Sequence, residues 1–423
     1  MIFGLDPPAR HGYISPAMQA PAVQLDVPIT TEWKQVSKNW GHPFHPMCSY
    51  MAMFPPQLPH YFIQRFSRPG DRVLDPFSGR GTTPTQACVD GRIGIANDLN
   101  PLAYVLSRAK VDPPEETDVQ ARLAQLAAAY RDNPGSLPAT PPLAGQMADD
   151  IGAVFHGETL RQLLFLKGIL TNDRNDTFIK ATIAGILHGK YRRSGSDSIY
   201  LSIDMPNTFS MSPAYIRRYV KEKGLVYLAL DVFEKTGRRL QRLFRRGAPP
   251  TRGQAFQQDV RQLHQWVQPE SIRLVVSSPP YLKVIKYGLY NWIRLWFLGV
   301  AHDEVDRTLD DAHALDAYLA FMQETVGQLE RLLVPGGVCV LVIGDVAHNN
   351  QAPLNLALEV WEAVRAHSNL QLLDLVADPI ADHRKVTKIW NNTRGRATAT
   401  DRIMVLCKGD RPAVDQLPVQ WDS

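Results

Sequence analysis

A pair of glycines between an apolar strand and a helix constrains the fold of this chain more than any other feature. The run DRVLDPF, Asp71 to Phe77, predicts a short buried strand, and SGRGTT predicts a tight turn after it. A helix through PTQACVDG, a second strand RIGIANDLNP and a second helix PLAYVLSRAKV follow. This alternation is typical of an α/β fold with a mostly parallel sheet flanked by helices.

Strand patterns resume only after a long interval. They are GQAFQQD ending at Asp259, IRLVVSS ending at Ser278, GGVCVLVIGD ending at Asp345 after a turn at Pro335–Gly337, LQLLDLVADPI, and DRIMVLCKG. The chain therefore divides into a first α/β part (1–112), a mainly helical insertion (113–253) and a second α/β part (254–423). The Pro/Gly-rich stretch from Asn133 to Gly145 reads as a linker.

The insertion concentrates positive charge, although the 423-residue chain has a net charge of only +4. From Arg161 to Arg246 there are 17 Lys and Arg against 7 Asp and Glu, so the remainder is net acidic. Such a stretch predicts a surface for a polyanion, and a solvated helical face explains the charge equally well. The candidate contacts are Arg192, Arg193, Arg217, Arg218 and Lys221, the last three on a helix with Ser212 as N-cap and Gly224 as its end.

Several classes of protein are disfavoured by what the sequence lacks. The four cysteines are scattered and the histidines do not follow zinc spacing, so we expect neither a disulfide framework nor a metal. The N-terminal residues do not follow a signal-peptide pattern, and no apolar run approaches the ~20 residues of a membrane helix. We expect a reduced, cytoplasmic protein.

The glycine turn predicts a binding site for a nucleotide or nucleoside. Gly79 and Gly81 allow close approach of the backbone to a ligand, and the helix opened by Thr82 and Thr83 offers free N–H groups. The turn lacks the Lys-Ser/Thr ending of a Walker loop and is not a full GxGxxG motif. Asp98 ends the next strand, where it would meet ribose hydroxyls, and Asp259 ends the third strand, where an adenine amine would lie. Each aspartate alone could equally be a turn cap.

These residues resemble the motifs of S-adenosylmethionine-dependent DNA methyltransferases that modify exocyclic amines, the N4-cytosine and N6-adenine enzymes. VLDPFSGRGTT resembles their cofactor motif, with Arg80 where the family usually has serine, and SPPY (Ser278 to Tyr281) resembles their catalytic motif. The segment from His42 to Asp71 resembles the part that closes over the methionine end of the cofactor. The order of the motifs resembles members with the target-recognition region between them, here the basic insertion.

The resemblance implies a Rossmann-like methyltransferase with a seven-stranded sheet, S-adenosylmethionine as cofactor, no metal and double-stranded DNA as partner. The cofactor-binding residues that it implies are Asp75, Pro76, Phe77, Gly79, Gly81, Thr82, Thr83, Asp98 and Asp259. Its catalytic residues are Ser278, Pro279, Pro280 and Tyr281.

An exocyclic amine is a poor nucleophile because its lone pair is delocalised into the base. The Ser278 hydroxyl and the Pro279 carbonyl could accept the two amine hydrogens, while the prolines keep these acceptors rigid and Tyr281 stacks on a flipped base. C5-cytosine chemistry needs a Pro-Cys nucleophile, and none of the four cysteines follows a proline.

Serine at the first motif position is, in the resembling family, more often associated with cytosine N4, so we expect a cytosine-N4 DNA methyltransferase beside a restriction endonuclease. Adenine N6, an RNA amine and a non-catalytic binding protein are the alternatives. The aromatic residues Tyr287, Tyr290, Trp292 and Trp296 are expected in the core rather than against a base.

Overall fold

The computed structural model describes residues 25, 27–51, 54–132, 146–191, 198–207, 209–280, 282, 286–309, 314–346, 353–379, 400–414 and 417–421. Within these residues seven strands form one sheet. They are β1 Arg72–Asp75, β2 Ile93–Asn97, β3 Gln254–Phe256, β4 Ile272–Ser277, β5 Leu333–Gly344, β6 Leu370–Pro379 and β7 Thr400–Lys408.

The α-helices of the first α/β part are α1 Gln57–Phe66, α2 Thr82–Val89 and α3 Pro101–Val111. Between them and β3 lie α4 Glu116–Asp132, α5 Gln146–Gly152, α6 Gly157–Ile169, α7 Arg174–Ile186, α8 Pro213–Lys223 and α9 Val232–Leu243. After β4 come α10 Tyr287–Tyr290, α11 Trp292–Leu298, α12 His302–Thr308, α13 Leu315–Leu332 and α14 Leu356–Val364. Short 3-10 helices cover Glu32–Gln35, His45–Met47, Phe244–Arg246 and Val260–Gln265.

The sheet has the order β3-β2-β1-β4-β5-β7-β6. All neighbouring pairs from β3 to β5 are parallel, whereas β7 runs antiparallel between β5 and β6. The prediction of a mostly parallel, seven-stranded sheet flanked by helices is therefore confirmed. The carboxyl ends of β1, β2, β3 and β4 meet at one edge, which is where open α/β sheets bind ligands.

Two local predictions about the strands were wrong. The third strand ends at Phe256 rather than Asp259, because the Asp259 side chain accepts a hydrogen bond from the Arg261 N–H and caps the following 3-10 helix. The residues Pro335–Gly337 lie inside β5, where the register against β4 shifts, rather than in a turn before the strand.

Both faces of the sheet are covered, which explains why its strands are nearly continuous apolar runs. Successive residues of β1 point to opposite sides: Leu74 packs in the core formed with α13 and α14, and Val73 packs in the core formed with α1. Burial on both faces fixes the register of the central strands, since a shift by one residue would move each side chain from one core to the other.

The region between α3 and β3 is helical over most of its described residues. Its apolar side chains form one core with residues from outside it, including Leu102 of α3 and Trp292 of α11. The domain boundaries at 112 and 253 stay a prediction, and the linker predicted at 133–145 lies outside the described residues. No helix within the described residues is long and apolar enough to cross a membrane.

Candidate active site

A cleft opens at the carboxyl ends of β1, β2, β3 and β4. Eight of the predicted site residues line it: Pro76, Phe77, Gly79, Asp98, Asp259, Ser278, Pro279 and Pro280. Residues that the sequence did not single out as site residues also line it, among them Tyr50, Asn97, Asn100, Gln258, Tyr287 and Phe321. The predicted cofactor turn and most of the predicted catalytic segment therefore border one cavity.

The two glycines of the turn meet different neighbours. Gly79 has φ +51° and lines the cleft, where a Cβ would lie 3.3 Å from the ring of Tyr50. Gly81 has φ +80°, and a Cβ there would lie 2.8 Å from Oγ and 3.0 Å from Cα of Ser107 on α3. Gly79 thus leaves space at the cleft, while Gly81 allows the turn to pack on the neighbouring helix.

Asp98 follows β2 directly and is held by two backbone groups. Its Oδ2 accepts a hydrogen bond from the Gly79 N–H (2.8 Å), and its Oδ1 accepts one from the Asn100 N–H (2.9 Å). Burial raises the pKa of this carboxyl to about 6. Each oxygen still has acceptor capacity towards the cleft, so the carboxyl is both fixed in orientation and able to bind a hydroxyl.

Asp259 lines the cleft with its carboxylate already engaged. The guanidinium of Arg261 donates to both of its oxygens, and these hydrogen bonds lower the pKa of Asp259 below its usual range. Its side chain belongs to a helix cap rather than to a strand end, and its place beside an adenine stays a prediction.

Four of the predicted cofactor residues do not line the cleft, namely Asp75, Gly81, Thr82 and Thr83. The side chains of Asp75, Thr82 and Thr83 make internal contacts instead. The Thr83 hydroxyl donates to the Val276 carbonyl (3.0 Å), and the Thr82 hydroxyl accepts from Nε of Arg80 (3.3 Å). Asp75 accepts a hydrogen bond from Ser277. These residues therefore stabilise the turn through internal contacts rather than by lining the cleft.

The predicted catalytic segment begins where β4 ends at Ser277. Ser278, Pro279 and Pro280 line the cleft, and Tyr281 lies outside the described residues. Tyr287 was expected in the core, but it lines the cleft and stacks on Tyr50 with ring centroids 5.8 Å apart.

The expectation of a core position is correct for Trp292 and Trp296, which are both buried. Tyr290 is only partly buried and contacts the ring of Phe209.

Asn97 joins three of the segments around the cleft. Its Nδ2 donates to the carbonyls of Pro76 (3.1 Å) and Gln258 (3.0 Å), and its Oδ1 accepts from the Gln258 N–H (3.1 Å). A polar residue ending a buried strand hints at such a function, but its partner 161 positions away cannot be read from the sequence.

The predicted DNA-contacting residues that the structure describes lie on α8. The Arg217 and Arg218 side chains are exposed, and they form ion pairs with Asp150 and Glu222 respectively. Lys221 is exposed on the same helix. Arg192 and Arg193 lie outside the described residues.

All four cysteines are buried thiols. In the described part of the chain no group of three or more His, Cys, Asp or Glu side chains is arranged to hold a metal ion.

Residues 10–101 match a protein-family model described as DNA methylase, of the N6/N4 type. Over these residues the chain is similar to the DNA methylase family. The matched part of the chain contains Tyr50, the glycine turn and Asp98, and it ends before the helical region and Ser278. The resemblance to the amino-methyltransferases is confirmed, while the choice between N4 and N6 stays a prediction.

Two curated relatives are similar to parts of this chain. Type II methyltransferase M.MjaII of Methanocaldococcus jannaschii is 35% identical over 79 residues, 19% of this chain and 14% of the relative. Type II methyltransferase M.MvaI of Kocuria varians is 30% identical over 99 residues, 23% of this chain and 21% of the relative. The chain thus matches only a small share of the length of either relative.

Among solved structures, TrmN from Thermus thermophilus is similar over 86% of this chain and 52% of its own, with 12% identity and a TM-score of 0.34.

Proposed function

We propose that this protein is a DNA methyltransferase that transfers a methyl group from S-adenosylmethionine to the exocyclic N4 amine of a cytosine in duplex DNA. The observation that carries the proposal is the single cleft in which Gly79 and Asp98 stand beside Ser278 and Pro279. The family match and the two relatives named as type II methyltransferases support it. A cognate restriction endonuclease is part of the proposal, since type II methyltransferases protect DNA from such enzymes.

The residues of the cleft fit the adenosyl part of this cofactor. The Asp98 carboxyl, fixed by the N–H groups of Gly79 and Asn100, can accept hydrogen bonds from ribose hydroxyls. Gly79 has no Cβ to fill the space beside Tyr50, and Phe77, Gln258 and further residues border the same space. When bound, S-adenosylmethionine supplies an electrophilic methyl group. No residue needs to hold a metal for this reaction.

Ser278 and Pro279 would act on the base by orienting its amine. The hydroxyl and the carbonyl can each accept one amine hydrogen, which favours a tetrahedral nitrogen with a localised lone pair. The rings of Pro279 and Pro280 restrict the backbone, so these acceptors need little reorganisation when the base enters. This contribution is preorganisation rather than acid–base catalysis.

The target base has to leave the duplex, because its amine is shielded by pairing. Flipping costs a few kcal/mol, and stacking on aromatic side chains recovers part of that cost. Tyr50 and Tyr287 line the cleft as a stacked pair and offer such a surface. The basic helix α8 supplies candidate phosphate contacts through Arg217, Arg218 and Lys221.

Product analysis tests the function directly. The protein is incubated with labelled S-adenosylmethionine and either duplex DNA or RNA, and the digested nucleosides are identified by mass spectrometry. N4-methylcytosine from DNA supports the proposal, whereas N6-methyladenine from DNA would make adenine the target base. Methylated RNA alone, or no transfer, refutes it.

Ser278→Ala tests the part given to the serine hydroxyl. We expect most of the turnover to be lost while cofactor affinity, measured calorimetrically, is kept. Ser67→Ala is the matched control, because Ser67 is buried and hydrogen-bonded at the end of α1 and does not line the cleft. Equal turnover in the two variants would contradict the assignment.

A further inference from the structure

Ser277, the residue before the catalytic segment, is bonded to the strand that carries the glycine turn. Its hydroxyl donates a hydrogen bond of 2.6 Å to Oδ1 of Asp75, although the two residues are 202 positions apart in the chain. Ser277 is the last residue of β4 and Asp75 is the last residue of β1. The bond therefore joins the starting points of two of the loops that line the cleft.

The backbone alone does not make this connection. Pairing between β1 and β4 consists of Val73 with Leu274 and Leu74 with Val275. On the other side, β4 remains paired with β5 as far as Ser277 with Leu341. The side-chain bond between Ser277 and Asp75 thus extends the contact between β1 and β4 beyond the last backbone pair, up to the residue that precedes Ser278.

The Asp75 carboxyl also holds the turn itself. Its Oδ1 accepts the Phe77 N–H (3.2 Å), and the Thr83 hydroxyl at the start of α2 is close enough to lower the pKa of the carboxyl. Thr83 in turn donates to the Val276 carbonyl. The Asp75 carboxyl therefore connects the end of β1 to the turn and to the end of β4, and Thr83 connects the first turn of α2 to the end of β4.

The surroundings of Asp75 make this arrangement sensitive to pH. The side chain is 2% exposed, and burial raises its pKa to about 7. The hydrogen bonds from Ser277 and the Phe77 N–H, together with the nearby Thr83 hydroxyl, favour the ionised form, whereas the nearby negative charge of Asp98 disfavours it. The ionised carboxylate is acceptor-only and can accept both hydrogen bonds, while protonation converts part of it into a donor.

We propose that Ser277 is a positioning residue, whose hydroxyl holds the start of the Ser278–Pro280 segment in register with the glycine turn through the Asp75 carboxylate. This inference rests on the proposed methyl transfer. Neither Ser277 nor Asp75 lines the cleft, so the pair acts on the base through Ser278 rather than by contact. A shift of the amine acceptors by a fraction of an ångström lowers the rate, because the reaction depends on alignment.

Single-turnover kinetics with the full-length protein test the inference. We expect Ser277→Ala to lower the rate constant at pH 7 by about tenfold or more, while the Kd for S-adenosylmethionine stays within about threefold of wild type. The acid limb of the pH–rate profile should move upwards by about one pH unit, because the ionised carboxylate loses a donor. In Asp75→Asn the part of this limb near pH 7 should disappear, since the amide does not titrate, and only a limb near the pKa of Asp98, about 6, should remain.

The control is Ser67→Ala, which removes a buried hydroxyl that donates to the Ile63 carbonyl away from the cleft. A rate loss in Ser277→Ala no larger than in this control, or an unchanged pH profile, overturns the inference while leaving the proposed function intact. Absence of any transfer by the wild-type protein refutes the proposed function and this inference with it.

A readout without cofactor or DNA is the pH dependence of unfolding by urea. The loss of stability as the pH rises through 7 should be larger in Ser277→Ala than in wild type, because the charged carboxylate is less well solvated. An identical pH dependence in the two proteins would contradict the pairing of Ser277 with Asp75.

Discussion

Gly81→Ala should damage the glycine turn through two separable effects. The first is the backbone conformation: φ at Gly81 is +80°, and an L-residue in the left-handed region costs roughly 1–2 kcal/mol. The second is steric, since the new Cβ would lie 2.8 Å from Oγ and 3.0 Å from Cα of Ser107. The Ser107 hydroxyl can rotate, but its Cα belongs to α3 and cannot move without the helix.

Gly70→Ala is the matched control for the first effect. Gly70 has φ +87°, and a Cβ there meets nothing within 4 Å. We expect this control to lose roughly 1–2 kcal/mol in the free energy of unfolding. Gly81→Ala should lose a further ~1–3 kcal/mol, the usual cost of forcing an extra carbon into a packed site.

Urea denaturation measures both losses, and calorimetric titration with S-adenosylmethionine measures the effect on the turn. We expect weakened cofactor binding in Gly81→Ala and near wild-type binding in Gly70→Ala. Equal destabilisation of the two variants, within about 0.5 kcal/mol, would refute the steric contact with Ser107.

Three further predictions concern charged groups. Asp98→Ala should weaken S-adenosylmethionine binding at least about tenfold in calorimetric titrations, because it removes the acceptor for the ribose and leaves the Gly79 N–H unpaired; unchanged affinity would contradict the proposed ribose site. Lys221→Gln should reduce the slope of log K against log salt for DNA binding by about one, as expected for one lost phosphate contact; an unchanged slope would contradict a phosphate contact at Lys221. The pKa of Asp75 is raised, so its contribution to stability is present below its unfolded pKa of 3.8 and is lost as the pH rises through about 7. Asp75→Asn should therefore gain up to roughly 4 kcal/mol relative to wild type between pH 4 and pH 8, measured by urea denaturation; a constant difference would contradict this pKa.

The fold could be predicted well from the sequence, because the residues that indicate each strand, turn and helix are close together in the chain. An apolar run, two glycines and a helix beginning at Thr82 follow one another within a few residues, and the structure has β1, the turn and α2 in that order. The mostly parallel sheet follows from the repetition of such units. The prediction that the third strand ends at Asp259 was wrong, because an aspartate that caps a helix and an aspartate that ends a strand cannot be told apart in a sequence.

The candidate site was predicted less completely. A sequence motif shows which residues are neighbours in the chain, but not which of them face the cleft. Gly79 faces the cleft, whereas Thr83, four residues later, faces the end of β4. Contacts between residues that are far apart in the sequence could not be predicted either. Tyr50 packs on Gly79 and its hydroxyl accepts a hydrogen bond from Asn100. The resemblance of the segment from His42 to Asp71 pointed to the cofactor site, but it did not single out Tyr50.

The separation of 202 residues between Asp75 and Ser277 has a consequence for biosynthesis. At a synthesis rate of roughly 5–20 residues per second, β4 leaves the ribosome about 10–40 s after β1. During that interval β1 can pair with β2, but its other edge has no partner and stays open to pairing with other chains. We therefore expect nascent chains that end within the helical region to be the species most prone to aggregate during expression.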